Sequence, residues 1–461
     1  MTKQNPARPL VARPLVCLAA AALLSTASAA RSTSSKLLWS VSDASQIYGS
    51  ASLARNQGGA TFAVGTDFGA SQYADIVSQS GKVLFRITPS DGCNGSCDLY
   101  VDSARHLGGA PGAPSVDTFV LQTGDGSCTV FGYVTAGPKA SSTPAWTTLI
   151  SGCDTGEGVG GTYRCFEASD DGSVVVLQGY AKDKGTGNTT TTAYAIDAQT
   201  GEKRWEYALG LKEAAGQGDI SVTTDGAFVS FINEDSVPTP NSAQMHVIEG
   251  ATGKLRAEVQ IPFFIAGAIS DDGNTLAIQN FTHLVGSQGW ILKWSGAKYE
   301  LVHRVNLPPD GTEYDEWDTA ITTASDGTTV VVYSWIQAGS VLRLRVNSWN
   351  AETGDLMMDW TAPPNTKFQN NPTLMCDGDY VAVALWGDDG DKPTAVLLNV
   401  HSNQTLFEHV SPGSMMAVDV AVDKSTATED VILLNVAGKN VPANEGGTGG
   451  NAYVFEITVA K

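Results

Sequence analysis

The chain has 461 residues, 28 basic against 48 acidic side chains for a formal charge of −20, and 49 glycines in a composition that is 42% hydrophobic. It is too apolar for a disordered protein and too rich in glycine for a helical one, and its length suits one large all-β domain or two ordinary ones. The acidic balance argues against a nucleic-acid partner, which is held on a basic face.

Residues 1–29 read as a signal peptide. Lys3, Arg8 and Arg13 form a positive leader, residues 15–24 are an unbroken apolar run, and Ala27-Ser28-Ala29 offers a small-x-small cleavage pattern. The run is about half as long as a bilayer-spanning helix, and no later segment is apolar for longer, so no membrane anchor is expected. Residues 30–461 are then expected as a single exported domain, extracellular or, in a bacterium, periplasmic.

Cysteine usage fits export. Cys17 leaves with the leader, and Cys93, Cys97, Cys128, Cys153, Cys165 and Cys376 remain, an even number that favours disulfides. Cys93–Cys97, Cys128–Cys153 and Cys153–Cys165 are the local pairings, and the sequence leaves the choice open. No zinc site is expected, because the one short Cys pair has no His cluster beside it. A redox-active reading of Cys93-x-x-x-Cys97 is set aside because no basic neighbour would stabilise a thiolate. Asn94, Asn188, Asn280 and Asn403 stand in N-glycosylation triplets.

From residue 36 onward, apolar residues alternate or run in short β-branched stretches bounded by Gly, Asp, Asn or Pro, which is strand patterning. Phe62-Ala63-Val64, Val174-Val175-Val176-Leu177, Thr329-Val330-Val331-Val332 and Val431-Ile432-Leu433-Leu434 are examples. The stretches recur in a fixed order. An Asp-Gly pair comes first, at Asp171-Gly172, Asp225-Gly226, Asp272-Gly273, Asp326-Gly327 and Asp377-Gly378. Each is read as a hairpin turn with both central residues at positive φ, and its place between apolar strands sets a calcium loop aside. An apolar strand, a polar loop and two further strands follow, the last often carrying a tryptophan. Asp197-Ala198-Gln199-Thr200-Gly201-Glu202-Lys203-Arg204-Trp205 is the clearest copy of the final turn, with weaker ones around Gly81, Gly253 and Gly354. The unit is roughly 45 to 60 residues, the size of a four-stranded propeller blade.

These motifs resemble the repeats of quinoprotein-like β-propellers, the pyrroloquinoline-quinone (PQQ) type, in which an Asp-x-x-x-Gly-x-x-x-Trp stretch turns between the outer strands and its tryptophan docks between neighbouring blades. The resemblance spans nearly the whole mature chain as a repeat and implies an all-β, eight-bladed β-propeller of four-stranded antiparallel sheets. Seven blades are the alternative, because the second unit, 93–152, is irregular. The last unit has strands near 417–422, 431–436 and 452–459 but no fourth. Lys36-Leu37-Leu38-Trp39-Ser40-Val41 looks like that missing strand, so the N-terminal ribbon is expected to complete the last blade and cover two exposed edges.

Propellers bind ligands on the loops that join one blade to the next. Candidate binding residues on those loops are Tyr163, Arg164, Asp219, Phe263, Phe264, Glu313, Tyr314, Asp315, Glu316, Trp317, Asp318, Asn370 and Asn371. The stretch 310–318, taken as a loop, sets carboxylates beside aromatics, a mixture suited to a cation, a sugar or a basic peptide and equally to a solvated surface. No catalytic motif is present, and the six histidines are scattered. The resemblance also raises a PQQ- and calcium-dependent dehydrogenase. The chain lacks the adjacent Cys-Cys pair common in those enzymes, and no catalytic or calcium-ligating position carries over. The expectation is therefore a secreted, monomeric module that binds an extracellular ligand or protein without covalent chemistry and without cofactor or metal. The quinone dehydrogenase and a carbohydrate-acting propeller enzyme are the alternatives.

Overall fold

A computed structural model describes residues 33–44, 47–56, 59–67, 72–88, 98–105, 116–124, 127–135, 140–151, 153, 166–182, 189–212, 220–233, 243–261, 266–280, 288–306, 314–337, 343–363, 373–385, 392–440 and 449–461. These residues form eight four-stranded antiparallel sheets, and no helix is found among them. The innermost strands are, in chain order, Ile47–Asn56, Asp98–Ser103, Phe166–Ala168, Ile220–Val222, Ala266–Ile269, Tyr314–Thr323, Thr373–Asp377 and Met415–Ser425. Each packs beside the next, and the last packs beside the first, so the ring is closed. The protein is an eight-bladed β-propeller. The irregular second unit is a complete blade, with strands Asp98–Ser103, Thr118–Gly124, Ser127–Tyr133 and Trp146–Ser151.

The eighth blade is a composite. Strand Thr33–Asp43 pairs antiparallel with Gly450–Ala460, in a register that sets Leu37 opposite Phe455, Trp39 opposite Val454 and Val41 opposite Ala452. The expected N-terminal closure is therefore present. It is sealed sideways as well as by the ladder. Trp39 packs edge-on to Phe62 of blade 1 at 5.7 Å. Tyr73, also of blade 1, donates to the Asp43 carboxylate at 2.5 Å, and Arg86 lies 3.5 Å over the Tyr73 ring.

Second and third strands are apolar on both faces because each blade is sandwiched between two others. Val174, Val175, Val176 and Leu177 are all fully buried, as are Val381, Ala382, Val383 and Ala384. Between blades, the outer-strand tryptophan docks on the following blade as the resemblance implied. Trp205 donates its Nε1–H to Gly250 O at 2.8 Å, and Trp146 donates to Ala198 O at 3.0 Å. At Gly81, Gly201 and Gly253 the turn glycine makes room for the indole. Gly201 has φ 75°, and a Cβ there would lie 2.6 Å from Trp146. Blade 4 carries Ala257 where this tryptophan falls, and Arg256 fills the gap, stacking 4.1 Å over Phe228 and 4.2 Å over Trp294.

The Asp-Gly pairs do join the first and second strands of their blades; at Asp377-Gly378 the loop is two residues long, between the paired Asp377 and Tyr380, but at the other four pairs it is longer. The Gly172 N–H donates to Ser169 O, so Asp170 and Asp171 are the central residues and Gly172 follows at φ 67°. The same pattern recurs at Gly226 and Gly273. The aspartate explains the difference. Asp171 Oδ1 accepts from the Ser173 N–H at 2.8 Å and from the Ser169 hydroxyl at 2.8 Å, a side-chain turn that holds a longer loop.

Among the disulfide candidates, Cys128 and Cys153 are bonded, with Cα atoms 5.4 Å apart. This excludes Cys153–Cys165. Cys93, Cys97 and Cys165 lie outside the described residues, and Cys376 is half-buried in the innermost strand of blade 7.

Candidate functional site

The innermost strand of a blade has a neighbour on one side only, so its other edge turns backbone N–H groups toward the central channel, where they need partners. Acidic side chains of the preceding blade supply them. Asp102 Oδ2 accepts from the Ala168 N–H at 2.6 Å, Asp318 Oδ2 from Leu374 at 2.8 Å and Asp377 Oδ2 from Val422 at 2.7 Å. Ser221 serves Ile269 in the same manner at 3.3 Å. These acids tie blade 2 to 3, 6 to 7 and 7 to 8.

Arg105, which follows the innermost strand of blade 2, reaches into the channel. Its Nε meets Asp170 of blade 3 at 2.7 Å, and its Nη1 meets Asp419 of blade 8 at 3.5 Å. Two cavities adjoin it, and both have Arg105, Glu167, Asp170 and Met375 in their walls. The larger, about 280 Å³, lies toward the Asp-Gly turns and is bordered by Thr224, Asp271 and Asp377. The smaller, about 140 Å³, is bordered by Ser50, Asp102, Met416 and Asp419.

So many acids around one guanidinium do not all ionise easily. Burial is the main cause that pushes Asp419 up to about 7, aided by the charges of Asp102 and Asp170 and opposed by Arg105. Burial likewise raises Asp102 to about 6 against the Ala168 and Ser103 N–H bonds. Both carboxyls hold a proton more tightly folded than unfolded. Folding therefore takes up protons between the ordinary aspartate value and these raised ones, and their contribution to stability rises as pH falls from 8 to about 5, offset in part by His409, which burial lowers to about 4 so that its contribution is lost as pH falls below about 6.5. Asp430 works in the opposite sense. Burial raises its pKa, but the Lys461 and Tyr380 contacts outweigh that and leave it lowered, so its contribution is lost as pH falls below about 4. The expected thermal-melting profile climbs from pH 8 to 5 and drops in stronger acid. Asp419→Asn should flatten the climb and spare the drop.

Of the binding residues expected from the sequence, Tyr163, Arg164, Asp219, Phe263, Phe264, Glu313, Asn370 and Asn371 lie outside the described residues. The stretch 310–318 is not wholly a loop. The innermost strand of blade 6 begins at Tyr314, so Tyr314, Asp315, Glu316 and Trp317 belong to its backbone, while their side chains lie outside the described set. Asp318 is 8% exposed, and its other oxygen accepts from the Thr319 N–H at 2.8 Å. Asp318→Asn keeps one acceptor for two donors and should cost about 1–3 kcal/mol in urea unfolding. Among the glycosylation triplets, Asn94 and Asn188 are not described and Asn280 ends a second strand. Asn403 is exposed in a turn, where its Oδ1 accepts from the Asp359 N–H at 2.7 Å.

Arg105 and Asp419 carried no sequence signal as a pair, being 314 residues apart. The channel acids fall at no fixed distance from the repeat turns, so periodicity does not single them out. An anionic quinone of the PQQ type requires cationic partners. Of the described residues bordering the two cavities, Arg105 is the one cation, and Asp170 and Asp419 already hold it. Nor do the described residues include a group of three or more His, Cys, Asp or Glu side chains placed to hold a metal ion.

No protein-family model matches the chain, and no curated protein matches it by sequence. Solved structures do match in fold. A quinohemoprotein alcohol dehydrogenase from Comamonas testosteroni aligns with TM-score 0.52 and 12% identity over 92% of this chain and 76% of its own. The Dos1 propeller aligns with TM-score 0.50 and 12% identity over 91% and 94%. BamB from Moraxella catarrhalis aligns with TM-score 0.48 and 13% identity over 92% and 100%. The likeness is one of fold, to quinoprotein-type propellers. Among the described residues, no helix is long and apolar enough to cross a membrane.

Proposed function

We propose that the chain is an exported, monomeric binding or scaffolding module that performs no covalent chemistry. The observation that supports this reading most is the commitment of the channel acids. Asp102, Asp318 and Asp377 each accept a backbone N–H from the next blade, so they brace the ring where a propeller enzyme would place reactive groups. With four antiparallel strands per blade, the Asp-Gly turns and the third-to-fourth-strand turns share one end of the ring. The blade-to-blade connections share the other. Those connections hold Tyr163, Arg164, Asp219, Phe263, Phe264, Glu313, Asn370 and Asn371, with Tyr314–Trp317 entering the strand beside them, and this end is taken as the ligand-bearing one.

Purified mature protein tests the reading in two assays. Dye reduction with added PQQ and calcium, over alcohols and aldoses, should stay at the level of heat-killed protein, as should hydrolysis of nitrophenyl glycosides. Glycan and peptide arrays should show binding that Trp317→Ala reduces without lowering the melting temperature. Turnover in either enzymatic assay overturns the proposal in favour of the dehydrogenase or the carbohydrate-acting enzyme.

A further inference from the structure

We propose that Arg105 is a proton-operated gate between the two channel cavities, held shut across the ring axis while Asp419 is ionised and drawn back to Asp170 when Asp419 is neutral. The geometry places Arg105, with Glu167, Asp170 and Met375, in the wall that the two cavities share. Of these, Arg105 is the flexible cation, held at 2.7 Å by Asp170 of blade 3 and at 3.5 Å by Asp419 of the non-adjacent blade 8.

The two grips are unequal in kind. The Asp170 contact is short and passes through Nε, whereas the Asp419 contact is long and is made by one Nη. Asp419 is also the deeper carboxylate, with a side chain 4% exposed against 14% for Asp170. A neutral Asp419 loses most of its attraction for the guanidinium, while Asp170 keeps its own. Arg105 stays charged throughout, so the carboxyl is the moving part of the switch.

The charged and titratable groups around Arg105 are Asp102 on its own blade, Glu167 and Asp170 on blade 3, Asp271 on blade 5, Cys376 and Asp377 on blade 7, and Asp419 on blade 8. Asp377 accepts from the Val422 N–H, and Asp271 accepts from the Thr224 N–H and hydroxyl. Burial favours the neutral forms of Asp102 and Asp419, which are the pair assigned to take up the proton.

Met375 provides the readout, because it borders both cavities beside Arg105. In protein carrying ¹³C-methyl methionine, with Met375 assigned through Met375→Leu, its methyl resonance should move between pH 8 and 5 with a midpoint near 7. Met358, buried in the blade 6 core, should stay still. In Asp419→Asn the Met375 resonance should sit at the acid position at every pH. A Met375 resonance that is flat from pH 8 to 5 in the wild type overturns the gate, and so does an unchanged titration in Asp419→Asn. Should that variant fail to fold, Asp102→Asn supplies the second test. It should move the wild-type midpoint downward, since one like charge is gone, and an unmoved midpoint counts against the coupling.

Discussion

Trp39→Ala is expected to destabilise the propeller by about 3–5 kcal/mol, the cost of emptying a large buried aromatic site. Trp39 is 8% exposed, and a Cβ on Gly81, the turn glycine of blade 1, would lie only 2.7 Å from it. The residue thus belongs to the composite blade and at the same time docks on the first, so truncating it loosens the ring at its one non-sequential joint. Its indole N–H is buried with no hydrogen-bond partner among the described residues, unlike those of Trp146 and Trp205. Trp39→Phe, which removes that N–H and keeps most of the apolar contact, should cost less than about 1.5 kcal/mol. Guanidinium unfolding of the two variants gives the comparison. Equal losses, or an unchanged midpoint for Trp39→Ala, would show that the docking contributes nothing.

The second large effect belongs to Cys128–Cys153. The bond ties the third strand of blade 2 to the residue just past its outer strand, and a Cβ on Gly179 of blade 3 would lie 2.4 Å from its Cys153 sulfur. A sequence separation of 25 residues means that the bond removes about 3 kcal/mol of chain entropy from the unfolded state. Replacing both cysteines with alanine should lower the unfolding free energy by about that amount. Digestion without reductant should yield the two segments as one linked peptide. A Cys153 peptide linked to Cys165 would contradict the pairing.

Much of the architecture was legible because each blade repeats one physical problem. A strand buried between two sheets must be apolar on both faces, as Val174–Leu177 is, and a turn under a docked indole must carry glycine, as at Gly201. The composite blade was legible for a related reason: an apolar ribbon bearing Trp39 had no partner near it in sequence, and three strands at the other end lacked a fourth. The channel was not legible. Asp318 looked like one acid in an acidic loop, whereas its neighbours through space are the N–H groups of Thr319 and Leu374. Which acid serves which N–H depends on how one blade is rotated against the next, and no local spacing encodes that angle. Four of the Asp-Gly turns show the same limit at smaller scale, since the pair marked the right place while side chains such as Ser169 and Asp171 selected the longer turn; Asp377-Gly378 kept the two-residue form.

The composite blade also constrains how the molecule is made. Its outer ribbon, 33–43, is made before every other described strand and long before its partner, 450–460, so the most distant pairing among the described strands must form to complete the circle. Loop closure over that span is slow, and an unfinished ring keeps two sheet edges bare. Individual blades can form beforehand, but the final clasp has to wait until strand 450–460 is in place beside 33–43.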